Sequence, residues 1–230
     1  AKDGTVIFSH ENTRKRLEEM LRNDKRKIPE SVLPIITFSE KMSFHYNNED
    51  IHIFHVPHAH TDGDALVYFS KSNVLHTGDL FFNGKYPFID TENGGSLMGV
   101  VAGLEKAKAA INENTKIIPG HGDIGNSKDL QTAIDMLINT YKKVVTLYIS
   151  EKTEDEVAQM KDLTREYDEQ NYGDGFISTE AFLRMVYKEV GKERGDIESN
   201  AEKNRKAREK VKRMEKEYNQ KKANKKSEKQ

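Results

Sequence analysis

Three short segments constrain the possible fold of this chain more than any other part of the sequence. Each joins an apolar run to a histidine or an aspartate. They are residues 58–69, 74–79 and 117–122. Their apolar runs are short, rich in β-branched and aromatic residues and bounded by Gly, Asp or Asn, which predicts β-strands. His60 comes where a strand meets its loop, Asp79 ends the next strand and His121 follows the last. Because imidazole and carboxylate bind zinc in catalytic sites, the pattern predicts a metal site at the strand ends.

The residues of these segments also resemble a known family. His-Thr-Asp-Gly-Asp (60–64), Thr-Gly-Asp (77–79) and Pro-Gly-His-Gly (119–122) resemble the later motifs of the metallo-β-lactamase superfamily, and the resemblance extends over residues 1–190. It implies an α/β fold, the αβ/βα four-layer sandwich, and two zinc ions per complete site. It further implies that His60 binds the first zinc, that Asp79 bridges both, and that His121 binds the second.

The first zinc motif of that family, His-x-His-x-Asp-His, does not occur before His58. We therefore expect the sequence to start after this motif, with the fold incomplete at its N-terminus and the catalytic residue upstream of Ala1. The pattern from His58 to Gly63 imitates the missing motif, but its position before the Asp79 strand identifies it as the later one.

Three further polar residues near His60 are candidates for supporting it. His58 has the same parity as His60, and Asp62 and Asp64 lie in the turn that follows. Such residues orient a metal ligand through hydrogen bonds. The alternative is local turn chemistry, in which Asp side chains accept from backbone N–H groups. The remaining histidines, including His10, are predicted to be structural or exposed.

An aromatic stretch, residues 81–88, follows Asp79 directly. Phe81, Phe82 and Tyr86 are candidates for the wall of a substrate pocket, because loops after ligand-bearing strands are well placed for that purpose. Equally, these rings can simply cover the edge of the sheet.

The chain is predicted to contain two parts of different charge. Residues 192–230 contain 15 Lys and Arg residues against 8 Asp and Glu, whereas the whole chain has a net charge of −1. Residues 1–191 are therefore predicted to be the folded domain, and 192–230 a basic tail that is helical or disordered. A thin apolar seam in the tail (Ala207, Val211, Met214, Tyr218) is too short to predict a coiled coil. Its charge leaves open a contact with nucleic acid or an anionic surface.

The resemblance implies a zinc-dependent hydrolase that acts on a small-molecule ester, thioester, amide, lactam or phosphoester. The alternative is a catalytically incomplete chain that binds metal weakly or not at all and acts, if at all, through its basic tail. No apolar run reaches the ~18 residues that a transmembrane helix needs. Because the chain has no cysteine, disulfides are excluded, and the sequence leaves periplasmic, secreted and cytoplasmic locations open.

Overall fold

The computed structural model describes residues 4–23, 29–196 and 205. Its strands are β1 Phe8–His10, β2 Ile36–Phe38, β3 Lys41–Tyr46, β4 Glu49–Val56, β5 Asp64–Phe69, β6 Val74–Phe82 and β7 Lys116–His121. Its helices are α1 Glu11–Asn23, α2 Leu97–Ala109, α3 Ser127–Ile149, α4 Glu154–Ala158 and α5 Arg165–Asp168, with residues 179–196 also helical. The predicted mixture of strands and helices is confirmed.

The main sheet has five strands in the order β3-β4-β5-β6-β7. Its first four strands pair antiparallel, while β6 and β7 pair parallel with α2 as the crossover between them. The predicted hairpin joins β3 to β4, and its central residues Asn47 and Asn48 have φ values of 49° and 60°. Two successive positive φ values match the twist of a two-residue hairpin, and asparagine tolerates them well.

The core lies where α2 and α3 pack against β6 and against each other. Leu75 and Ile117 of the sheet and Leu104 and Leu130 of the helices are almost completely buried there. Both helix starts follow from sequence: the Ser96 side chain accepts from Gly99 N, and Asn126 and Asp129 form a capping box. These caps fix where α2 and α3 begin relative to the strands that bear the candidate ligands.

The N-terminal elements differ in detail from the prediction. The apolar run over residues 5–8 predicts a strand, whereas β1 is Phe8–His10, because it pairs parallel with β2 in a separate two-stranded sheet. The sequence also predicts Asn12 or Thr13 as the N-cap of a helix, but α1 begins before both, since the His10 ring accepts from Asn12 N at 3.2 Å. The imidazole thus takes the place of the predicted side-chain cap.

The chain divides into two compact units, residues 1–187 and 188–230. Of the second unit, residues 188–196 and 205 are described. The helix over 179–196 continues through Gly191 and Gly195, where the sequence predicted the domain boundary. The predicted apolar seam of the tail lies outside the described residues. No helix in the described part of the chain combines the length and apolar character that crossing a membrane requires.

Candidate metal centre

His60 lies in the loop between β4 and β5, and its ring orientation is set by a backbone carbonyl. Its Nδ1 is 2.9 Å from the carbonyl oxygen of Phe88. A carbonyl only accepts, so Nδ1 must carry the proton and Nε2 is left with a free lone pair. The loop backbone is fixed as well, because His60 O accepts from Asp90 N at 2.8 Å and Ala59 O accepts from Ser96 N at 3.0 Å. His60 is therefore held in the tautomer and position that a metal ligand needs.

Asp79 lies at an irregularity in the pairing of β6 with β7. Gly78 pairs with Pro119 and Phe82 with His121, so three residues of β6 face the single residue Gly120 of β7. Gly78 has a φ of +54°, which L side chains rarely adopt. Bulges of this kind re-aim a side chain. Here the bulge turns the Asp79 carboxylate over Gly120. The predicted end of β6 at Asp79 is corrected by three residues, because Leu80, Phe81 and Phe82 continue the strand as buried residues.

His121 is the last residue of β7. Its ring stacks on Phe82, with ring centroids 4.5 Å apart and an interplanar angle of 22°. Its carbonyl accepts from Asn83 N at 2.9 Å, which ties the end of β7 to the loop after β6. Stacking and backbone pairing together fix the imidazole beside Asp79.

The three predicted ligands come together with one imidazole at each carboxylate oxygen. Asp79 Oδ2 is 3.7 Å from His60 Nε2, and Asp79 Oδ1 is 3.5 Å from His121 Nε2. These separations exceed a hydrogen bond. They are close to the ~3.4 Å between two ligand atoms about 2.1 Å from a tetrahedral zinc. The side chains of His60, Asp79 and His121 are 17%, 43% and 54% exposed, so the group opens to solvent on the His121 side.

The donor set of these three residues fits zinc, which binds imidazole nitrogen and carboxylate oxygen. In the described ranges, however, no group of three or more His, Cys, Asp or Glu side chains surrounds one point as the ligands of a single metal would. The two observations agree if there are two metal positions, one between Asp79 and His60 and the other between Asp79 and His121. Each position then has two protein ligands from this group.

The candidates for supporting residues are placed differently from one another. His58 adopts a φ of +53°, and its ring points to Gly94 O at 3.1 Å rather than to Asp79. Asp64 accepts from Thr61 N at 2.9 Å and from Thr61 Oγ1 at 2.8 Å. Asp62 forms an ion pair with Arg16. Asp64 thus closes the turn that contains His60, and Asp62 links that turn to α1.

His10 and His55 form a stacked pair away from the three ligands. Their ring centroids are 3.6 Å apart, and each ring nitrogen Nε2 meets a backbone carbonyl, of Ser39 and Asp62 respectively. Burial lowers the pKa of His55, and the charge of the neighbouring His10 lowers it further, against the Asp62 carbonyl that raises it. Their positions are those of structural histidines, as expected for both.

The aromatic candidates lie mostly in the interior. Phe81 and Tyr86 are each 1% exposed, and Phe82 is buried under His121. Two other rings are nearer to solvent at the site: Phe88 is 38% exposed and Phe176 82% exposed. The sequence contained a signal for Phe88, the last residue of the aromatic stretch. For Phe176 the only local signal was an aromatic residue directly after the Gly-Asp-Gly turn.

Comparison with known proteins identifies related sequences and folds. The sequence profile of the metallo-beta-lactamase superfamily matches residues 5–132. No curated protein sequence matches the chain significantly.

Solved structures of the same fold include enzymes with different substrates. One is the metallo-beta-lactamase from Pontibacter korlensis, with 18% identity, a TM-score of 0.50 and 60% of each chain covered. Another is the stereoselective inverting sec-alkylsulfatase Pisa1 from Pseudomonas sp., with 16% identity and a TM-score of 0.54. That match covers 67% of this chain and 26% of the sulfatase. At these identities the likeness concerns the fold, and the chain spans about 60% or less of either protein's length.

Proposed function

Because this chain belongs to the metallo-beta-lactamase superfamily, whose members are generally hydrolytic, we propose that it belongs to a zinc-dependent hydrolase. Its substrate is a small molecule with an ester, thioester, amide, lactam or phosphoester bond. In this proposal His60 would hold one zinc ion, His121 would hold a second, and Asp79 would contribute to both.

The observation that carries the proposal is the arrangement around Asp79. Its two oxygens face the Nε2 atoms of two different histidines, at 3.7 and 3.5 Å. Both separations are longer than a hydrogen bond and close to the distance between two ligand atoms of one metal ion, which supports metal binding rather than direct hydrogen bonding. The hydrogen bond from His60 Nδ1 to the Phe88 carbonyl supports the same assignment, because it frees Nε2 for a metal.

In this proposal the residues of the chain bind the metal ions and orient the metal ligands. Gly120 has no side chain, so the Asp79 carboxylate can lie directly on the β7 backbone. Phe82 supports one face of the His121 ring, and the Phe88 carbonyl holds the His60 ring. Zinc held by these residues would supply a water of lowered pKa, near ~7, and would polarise the bond to be cleaved. The exposed side of His121 is the open face on which a substrate approaches.

The small number of ligands around each position favours a second candidate. Because the described residues contain no group of three ligands around one point, this chain by itself would bind zinc weakly. In that case it is a catalytically incomplete chain.

Zinc content distinguishes the two candidates. The 230-residue chain is incubated with zinc and desalted, and zinc per chain is counted by elemental analysis. A complete site retains about two ions, as two-metal hydrolases do, whereas an incomplete chain retains less than one. Hydrolysis of ester, thioester, lactam and phosphoester substrates is then measured on the loaded chain.

The matched variants are Asp79→Asn and, as a control, Asp162→Asn, which removes a charge at a highly exposed position beside Arg165. Asp79→Asn should reduce zinc retention and abolish hydrolysis, while the control keeps both. If Asp79→Asn retained zinc and turnover at wild-type levels, the assignment of Asp79 would be wrong.

A further inference from the structure

Two exposed aromatic rings continue directly from the candidate metal centre. The Phe88 ring lies edge-on to the His60 ring, with centroids 5.7 Å apart and an interplanar angle of 64°. The Phe176 ring lies edge-on to Phe88, with centroids 6.1 Å apart and an angle of 88°. An apolar surface of two rings therefore begins at a metal-ligand histidine and extends outward from it.

We propose that Phe88 and Phe176 form an aromatic wall that binds an apolar group of the substrate. The substrate class is then a small molecule with an aryl or extended alkyl group next to the bond that is hydrolysed. This inference rests on the proposed function for its hydrolytic part, but the wall itself requires only the two rings and their position.

A role in binding an apolar group explains why the two rings are exposed. A ring that is 82% exposed, as Phe176 is, makes almost no contribution to the core of this chain. Within the described part of the chain its ring contacts Phe88, itself 38% exposed, so the two rings form a continuous apolar surface rather than scattered single residues. Aromatic rings of this kind bury much area and lose little side-chain entropy when a ligand packs on them.

The two loops that bear the rings are tied to each other, so the wall is a fixed feature of the fold. The Asp168 carboxylate accepts three hydroxyl groups: Tyr86 at 2.8 Å and Thr179 at 2.5 Å on Oδ1, and Thr164 at 2.9 Å on Oδ2. Tyr86 is two residues before Phe88, and Thr179 is three residues after Phe176. A single half-buried carboxylate thus connects both ring-bearing segments.

Two further bonds join the same segments. Tyr86 N donates to Tyr172 O at 3.3 Å, and Lys85 Nζ donates to Asn171 O at 2.9 Å. The side chain of Lys85 also packs against Gly175, the residue before Phe176. Because the joins lie just before Phe88 and on both sides of Phe176, the spacing between the rings is predetermined before a ligand arrives.

The wall is the size of a small-molecule subsite. Two edge-on rings can cover about one aryl group. The area buried in that way is far less than the ~800 Å² per partner of a stable protein interface. Its continuity with His60 places that group within one ring's width of the metal ligands. The occupant is therefore a substituent of the molecule that reaches the metal centre.

The test compares 3-phenylpropionate with propionate, two carboxylates that differ by a phenyl group. Their dissociation constants for the 230-residue chain, with and without zinc, are measured by ligand-observed NMR titration. The wild-type chain should bind the phenyl compound about tenfold more tightly than propionate. Phe176→Ser should bring that ratio close to one and leave propionate affinity unchanged, and Phe176→Leu should restore part of it.

The control variant is Tyr46→Ser, which removes a ring of similar exposure, 67%, from β3. It should keep the tenfold ratio. A ratio that is the same in Phe176→Ser as in the wild type, or a wild-type chain that does not discriminate the two compounds, overturns the wall. Loss of zinc retention or hydrolysis with an intact ratio overturns the proposed function and leaves the wall in place.

Discussion

Gly120 controls the position of the Asp79 carboxylate, and Gly120→Ala is the sharpest test of the geometry described above. A Cβ atom added at Gly120 would lie 2.2 Å from Asp79 Oδ1 and 2.8 Å from Gly78 C and O. Real Cβ atoms essentially never approach other heavy atoms closer than 3.0 Å. The backbone of Gly120 does not have a positive φ, so the substitution acts through this clash and not through backbone strain.

The size of the clash decides the expected result. Restoring an ordinary contact requires Asp79 Oδ1 or the β7 backbone to move by about 1 Å. Zinc ligands hold their distances to within ~0.2 Å, so a shift of that size removes Asp79 from productive geometry. If instead the backbone moves, overpacking costs about 1–3 kcal/mol of unfolding free energy. Zinc affinity should fall ~10–100-fold, as for lost supporting interactions, and stability should fall as well.

Zinc affinity is measured by competition with a chromophoric chelator and stability by chemical unfolding of the zinc-free chain. Gly195→Ala is the matched control, because a Cβ there meets nothing within 4 Å and its φ is not positive. Adding Asp79→Ala to Gly120→Ala should recover part of the lost stability, since one of the clashing groups is then absent. Gly120→Ala with wild-type stability and zinc affinity would refute the bulge geometry.

Three further substitutions test how the fold supports the site. Tyr86→Phe removes the hydroxyl that donates to Asp168 and should lower the unfolding free energy by about 1 kcal/mol. Burial, reinforced by that hydrogen bond, raises the pKa of Tyr86 above 10.0. Wild-type stability should therefore be complete below pH 10.0 and fall as the pH rises beyond it, and it should fall less in the variant. Burial lowers the pKa of His55 below 6.5, so wild-type stability should be complete above pH 6.5 and fall as the pH decreases, and His55→Gln should flatten that slope. Asn126→Ala removes the acceptor of a capping box and should cost about 1 kcal/mol, with the melting temperature lower by ~2–4 °C. All three are read by unfolding curves, the first two as a function of pH.

Each of these expectations has a specific contrary outcome. Tyr46→Phe and His45→Gln alter exposed residues of the same types, so a pH response in them equal to that of the buried variants would contradict the assigned causes. Asn126→Asp keeps a side-chain acceptor and should retain wild-type stability. Equal losses in Asn126→Asp and Asn126→Ala would show that the cap is not the source.

The sequence predicted those features that depend on neighbouring residues. The Asn47-Asn48 turn, the helix cap at Asn126 and the capping box that Thr153 and Glu156 predict are set by local hydrogen bonds and φ preferences, and all three occur in the structure. The positions of His60, Asp79 and His121 near strand ends were also predictable, because each follows an apolar run of strand length; their binding of metal stays a prediction. Periodicity and turn chemistry were therefore sufficient to predict individual turns, helix caps and the approximate ends of strands.

Features that depend on residues distant in sequence were not predictable. The wall joins Phe88 to Phe176 through hydrogen bonds at Asp168, over a separation of more than 80 residues. The stack of His10 on His55 likewise depends on how β1 and β4 meet. In both cases the contact depends on how two elements pack, and the sequence of one segment does not indicate which other segment it will contact.

The arrangement of the metal centre depends more on the backbone than on polar neighbours. His60 is oriented by a backbone carbonyl, Asp79 by the bulge opposite Gly120, and His121 by a stacked ring and the pairing of β7. None of these three supports involves a metal ion, so the positions of the three candidate ligands should persist when zinc is removed. Removing zinc with a chelator should therefore leave the amide chemical shifts of β6 and β7 away from the three ligands unchanged. Widespread changes across both strands would show instead that zinc itself organises this edge of the sheet.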